Sequence, residues 1–160
     1  MSLSPQPLPA CPEETARVAR RPHPKGNRSM WLRDELGAIY EDGQFLTLYP
    51  TVGQLAEQSW RIALMNVIQY MEDYTDRQAA EAMKERIDLK YALSLELTDP
   101  GFHFSVLSEF RSRLIEGELE EVLLTTLLEL CRKRGWLPRA GQAANRRDAC
   151  PGGYPHHESD

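Results

Sequence analysis

Residues 56–72 read AEQSWRIALMNVIQYME, with Trp60, Leu64, Val67, Ile68 and Met71 recurring at steps of three and four. That spacing lines the five side chains along one face of a helix, so this segment is expected to form the central core element. Working outward, Thr75-Asp76-Arg77-Gln78 fits a capping box: the Thr75 hydroxyl accepts from the Gln78 amide while the Gln78 side chain reaches back. The helix it opens runs through Ala79, Ala80, Ala82 and Met83 to about Arg86, and a third short helix is expected around Asp88–Leu95, presenting Tyr91, Ala92 and Leu95. Thr98-Asp99-Pro100-Gly101 reads as a turn, because proline presets its second position and glycine accepts the positive φ of its third.

A further helix is expected from Ser105, with Val106, Phe110 and Leu114 on its buried side. The last, Glu118–Arg134, is apolar nearly all round and should pack against several neighbours or another chain. Upstream, a helix over about 29–40 has Ser29 as its N-cap and ends before Asp42-Gly43. No convincing period-two pattern occurs, so the fold is predicted to be all-α, a compact domain of five to six helices. Residues 1–28 contain Pro5, Pro7, Pro9, Pro12, Pro22 and Pro24 and are expected to form an extended basic arm. Residues 29–137 form the helical domain, and 138–160, without an apolar period, are expected to be a disordered tail.

The 160 residues carry a formal charge of −5, unevenly spread. Residues 1–30 hold five basic side chains against Glu13 and Glu14, and residues 132–160 hold six basic against three acidic, so each end is +3 while the body, with 8 basic against 19 acidic, is −11. No apolar run is long enough to span a membrane, and the N-terminus lacks the basic start and apolar core of a signal peptide. Cys11, Cys131 and Cys150 form no CxxC pair and suggest free thiols in a reducing cytoplasm. His23, His103, His156 and His157 show no metal-ligand spacing.

Carboxylate clusters occur at Glu72/Asp73/Asp76 and at Glu116/Glu118/Glu120/Glu121, but these lie at expected helix ends, where acidic groups suit the helix dipole. There is no HExxH, GxSxG, phosphate-cradling glycine loop or Cys–His pairing, so no catalytic centre, cofactor, metal or small-molecule substrate is expected. The succession of short helices at about 75–86, 88–95 and 105–115, linked by tight turns, is more specific, because it resembles a helix-turn-helix reader. In its last member Ser105, Ser108, Ser112, Arg111 and Arg113 suit contact with phosphates or base edges. Residues 75–116 nevertheless hold six basic against eight acidic side chains, which limits autonomous affinity for DNA.

The string DRQAAEAMKERIDLKYALSLELTDPGFHFSVLSEFRSRL at 76–114, with Trp60-Arg61-Ile62-Ala63-Leu64 upstream, resembles the N-terminal domain of bacterial insertion-sequence transposases of the DDE class. PEETARVAR at 12–20, Pro24-Lys25-Gly26-Asn27, RDELGAIYED at 33–42 and LYPT at 48–51 extend the likeness over roughly residues 1–137. The resemblance implies a helical domain that recognises transposon ends and assembles the transposase. A ribonuclease-H-like domain would follow it, supplying three acidic residues that hold divalent metal ions for strand cleavage and transfer. The family continues past the position of Trp136-Leu137 into a TDxTHV-type motif bearing the first catalytic Asp, and this chain does not. One legal back-translation of residues 141–159, read one nucleotide out of frame, gives KQRTDATHVLAAIRTMNR, which restores that motif. The tail from near Pro138 to Asp160 is therefore expected to be out-of-frame translation of the catalytic domain's start, leaving Asp148 and Asp160 without a catalytic role.

The resulting expectation is a cytoplasmic, non-catalytic transposase fragment whose partners are transposon-end DNA and, through its apolar surface, itself or intact transposase. Arg77, Lys90, Ser105, Ser108, Arg111 and Arg113 are the expected DNA contacts, with the basic residues of 17–28 adding nonspecific affinity. The alternative is a protein-interaction module that self-associates or inhibits intact transposase, motivated by the leucine-rich last helix, or a genomic remnant without function.

Overall fold

A computed structural model describes residues 2, 4, 7–37, 39–50 and 58–137. Among the described residues seven α-helices carry the fold: α1 Glu13–Arg20, α2 Arg28–Leu36, α3 Ser59–Glu72, α4 Asp76–Glu85, α5 Ile87–Ala92, α6 Phe104–Glu116 and α7 Glu120–Lys133. A 3-10 helix, Asp42–Leu48, lies between α2 and α3. All regular helix or strand structure among the described residues is helical, as the apolar periods predict. None of these helices is long and apolar enough to cross a membrane. The expected tail, residues 138–160, lies outside the described residues.

Helix α3 is the core element that its stripe indicates. Trp60, Ile62, Ala63, Leu64, Met65 and Ile68 are buried, and α4, α6 and the 3-10 helix pack against it. Its start is held from outside the helix, because the buried Asp42 carboxylate accepts from the Trp60 amide at 3.0 Å. At its other end Asp73 adopts the left-handed conformation, φ 56, and closes the helix. The Thr75 capping box then opens α4: Thr75 Oγ1 accepts from the Gln78 amide at 3.3 Å and Gln78 Oε1 accepts from the Thr75 amide at 2.9 Å.

The N-terminal segment departs from the extended arm expected of it. The prolines stop at Pro12 and resume at Pro22, and the intervening residues form α1 with Thr15 and Ala19 buried. Ala19 joins Met30 and Tyr91 in a second small apolar cluster, and the Thr15 hydroxyl donates to the Leu95 carbonyl at 2.8 Å. Ahead of α1, the Pro9 carbonyl accepts from Arg33 Nη2 at 2.9 Å and from the Ser94 hydroxyl at 3.2 Å. Helix α2 begins earlier than expected, with Asn27 rather than Ser29 as its cap, and is closed by Gly37, φ 66. Ser29 is buried and takes no capping role.

The linkers between α4, α5 and α6 also differ from the short turns of a helix-turn-helix, which span three to four residues. Arg86 alone separates α4 from α5, whereas residues 93–103 connect α5 to α6. That longer connection is pinned because Leu93, Leu95 and Phe102 are buried in the core. Its hydrogen-bonded turn lies at Glu96–Asp99, and Asp99 Oδ1 accepts from the Gly101 amide at 2.8 Å around Pro100. Gly101 has the positive φ expected of it, +69°, and a Cβ there would lie 3.2 Å from Met83 Cβ, so close packing also favours glycine.

Helix α7 is apolar on most sides yet none of its residues is fully buried. Val122, Leu123, Leu127 and Leu130 pack on the core, and the Tyr40 hydroxyl donates to the Leu123 carbonyl at 2.6 Å. Beyond its end Trp136 stacks on Trp31 with ring centroids 4.7 Å apart. The packing against several neighbours expected for α7 is thus realised on one side only.

Candidate nucleic-acid interface

Helix α4 and the first turn of α6 enclose a cleft of about 510 Å³, floored by Ala80, Gly101 and Phe102 and edged by Arg77, Lys84, His103 and Phe104. The spacing of α4 builds one wall, because Arg77, Glu81 and Lys84 fall at i, i+4 and i+7 on one face. The Arg77 guanidinium lies 4.3 Å from the centroid of the Phe104 ring, which braces the side chain while leaving the residue exposed. Lys84 pairs with Glu81 at 2.9 Å on the surface, where both side chains are wet and the contact is weak.

The other wall is the N-terminus of α6. His103 is its cap, its Nδ1 accepting from the Ser105 amide at 3.3 Å and lying 3.0 Å from the Ser105 hydroxyl. A ring nitrogen that accepts an amide N–H carries no proton, so this geometry suits the tautomer protonated on Nε2. Ser108 is exposed and donates to the Ser105 carbonyl at 2.9 Å. No acidic side chain occupies the first turn of α6. The positive end of its dipole therefore meets Arg77 and Lys84 at one cleft, an arrangement that favours phosphate.

Of the six residues expected to touch DNA, Arg77, Ser105 and Ser108 share this region and the others do not reach it as free groups. Lys90 is buried, 4% exposed, and its ammonium donates to the Asp99 carbonyl. It ties α5 to the loop before α6 and is withdrawn from the surface. Arg111 Nη2 donates to both carboxylate oxygens of Asp76 at 2.9 and 2.7 Å, and its Nη1 to Asn66 Oδ1 at 3.0 Å, so it joins α6 to α3 and α4. The same guanidinium holds the Asp76 carboxyl below the usual range, against a smaller upward push from burial and with help from Gln69. Arg113 lies over the Tyr49 ring at 5.0 Å and donates to the Leu48 carbonyl at 3.3 Å, clamping the end of the 3-10 helix.

Arg111→Ala is accordingly expected to cost about 1–3 kcal/mol in urea unfolding, since a charged hydrogen-bond partner is lost. DNA affinity of the folded protein should be unchanged. Full stability with lost DNA binding would instead place Arg111 on the DNA.

The family model for the transposase domain (DUF772) matches residues 20–113. The chain belongs to that transposase-domain family. No curated protein and no solved structure matches it. The matched region runs from the last residue of α1 to late in α6 and contains the whole α4/α6 cleft, whereas α7 lies beyond it.

Two residues of this transposase domain's cleft, Lys84 and His103, escape a reading based on residue type. The i+7 spacing from Arg77 signals the first, and the position just ahead of an apolar-periodic helix signals the second. The basic arm divides as well. Arg17 pairs with Glu14 at 2.7 Å, and Arg20 binds Asp34 and donates to the Tyr91 hydroxyl at 2.8 Å. Arg21, Lys25 and Arg28 are exposed, and none of them pairs with a carboxylate among the described residues.

Proposed function

We propose that this transposase-family chain acts as a DNA-binding and assembly domain in DNA transposition, and that its contact with the transposon end is made at the α4/α6 cleft. The observation that carries the reading is the convergence of Arg77, Lys84 and the α6 N-terminus inside the family's matched region. Arg77 and Lys84 neutralise phosphates, the positive end of the α6 dipole attracts a phosphate oxygen, and the Ser105 and Ser108 hydroxyls sit at the same helix end for sugar, phosphate or base-edge contact. Arg21, Lys25 and Arg28 supply nonspecific attraction from the segment between α1 and α2.

Strand cleavage and joining belong, in this proposal, to a separate ribonuclease-H-like domain of the DDE class, and the 160-residue chain carries out neither. The frame-shifted reading of residues 141–159 supports this. The gene sequence beyond codon 141 tests it: absence of a transposase-like frame there would remove that support.

Binding is tested by a gel shift at low salt, comparing the element's terminal DNA with a scrambled duplex. The full chain is expected to prefer the terminal DNA and to lose affinity steeply with salt. The Arg77→Ala/Lys84→Ala variant should weaken binding to both duplexes and reduce the slope of log affinity against log salt by about 2, one unit per lost phosphate contact. A folded protein that shows no preference for the terminal DNA refutes end recognition, and an unaltered salt slope in the variant refutes the placement at this cleft.

A further inference from the structure

Helix α7 divides its apolar residues between two stripes. Val122, Leu123, Leu127 and Leu130 face the core. Leu124, Leu128 and Cys131, spaced at i, i+4 and i+7, form a separate stripe outside the core packing, with Leu124 60% exposed and Leu128 and Cys131 half-buried. This is the spacing of a helix–helix seam, two to three contact residues over two turns.

The charges beside the stripe identify what covers it. Glu120 and Glu121 stand in the first turn, and Arg132, Lys133 and Arg134 at the last turn and cap, Arg134 also pairing on the surface with Glu35 of its own chain at 3.2 Å. On a helix, Glu121 and Arg132 fall on the same flank of the stripe, while Glu120 and Arg134 fall on the other. An antiparallel neighbour of identical sequence then sets each acidic end beside a basic end on both flanks, with Leu124 of one helix near Cys131 of the other and the two Leu128 side chains at the centre. A parallel neighbour would place like charges together at both ends. The arrangement is self-complementary, as a two-fold interface requires.

We propose that the chain forms an antiparallel homodimer through α7, with Leu124, Leu128 and Cys131 as its seam and the Glu120/Glu121 end of each copy against the Arg132–Arg134 end of the other. The interface is independent of DNA contact. A chain that dimerises yet ignores transposon ends would sink only the DNA proposal, and a monomer that binds them would sink only this one.

Light scattering and sedimentation of the full chain, without DNA, are expected to show a dimer. Leu124→Glu should weaken association about a hundredfold or more, since both copies lose a buried leucine and gain a buried charge. Circular dichroism should show an unchanged fold, because the position is largely exposed in the single chain. Glu121→Arg alone and Arg132→Glu alone should each associate weakly, and both the mixture of the two single variants and the Glu121→Arg/Arg132→Glu double variant should recover. In a background carrying Cys11→Ser and Cys150→Ser, mild oxidation should link Leu124→Cys to Cys131 of the second copy, while Cys131 by itself gives no linked dimer. A monomer at all concentrations, a dimer indifferent to Leu124→Glu, or ready Cys131–Cys131 linkage would each overturn the proposal.

Discussion

Replacing Asp88 with alanine is expected to destabilise the domain by about 3–5 kcal/mol, because it breaks an ion pair from its buried side and leaves Arg86 with only the longer contact to Glu72 as a charge partner. Asp88 is 3% exposed at the start of α5. Its carboxylate accepts from Arg86 Nε at 3.0 Å and Nη2 at 2.5 Å, and from Asn27 Nδ2 at 2.8 Å. Asn27 is also the cap of α2, its Oδ1 accepting from the Met30 amide at 3.1 Å. Arg86 is in turn held by the Tyr74 hydroxyl at 2.8 Å and by Glu72 at 3.4 Å. A single carboxylate thus links the start of α2, the junction of α4 with α5 and the end of α3. Urea unfolding of Asp88→Ala and Asp88→Asn separates charge from shape: Asn keeps one acceptor and should lose less. A loss under 1 kcal/mol for Asp88→Ala would mean that Arg86 finds a substitute partner.

The same group makes stability depend on acid. Burial pushes the Asp88 carboxyl up, but the bonds from Arg86 and Asn27 more than reverse this, so it titrates below the usual range. Asp76 is lowered as well, chiefly by Arg111. A carboxyl depressed in the folded state contributes stability that is fully present above its unfolded pKa, about 4, and lost as pH falls through the folded value. The wild-type domain should therefore weaken progressively below about pH 4. Asp88→Asn should show a shallower decline, and parallel profiles for the two proteins would rule out this linkage.

The second large effect is expected at Trp60, where Trp60→Ala should cost about 3–5 kcal/mol through the cavity it opens. The side chain is fully buried. Its indole N–H donates to Gln58 Oε1 at 3.0 Å, and the guanidinium groups of Arg33 and Arg61 each lie 5.4 Å from its ring. Arg61 further donates to the carbonyls of Leu93 and Ser94 at 2.9 and 3.0 Å, so losing the ring loosens the α5–α6 connection as well as α3. Trp60→Phe retains an aromatic face and most of the apolar volume, and should cost about 1–2 kcal/mol. Equal losses for Ala and Phe in thermal unfolding would show that the indole N–H bond, rather than volume, holds the site.

Local features are where sequence reasoning succeeds. The α3 stripe, the Thr75 box and the positive φ of Gly101 depend on residues within a few positions of one another. The α1 segment shows the limit. Six prolines in residues 1–28 suggested extension, yet the proline-free stretch holds just enough apolar surface for α5 to bury. No local pattern announces Tyr91 or Leu95 as its partner.

Residue pattern alone yields an all-helical domain, its central helix and the approximate start of the helix that edges the cleft, because periodicity and capping are short-range properties. Tertiary structure decided which cations remain available. Lys90 disappears beneath a loop, Arg111 is neutralised by a carboxylate 35 residues away and Arg113 is drawn to a carbonyl 65 residues away, whereas Arg77 keeps its charge at the surface. A charge is read directly from residue type, but its partner is set by the packing of distant helices.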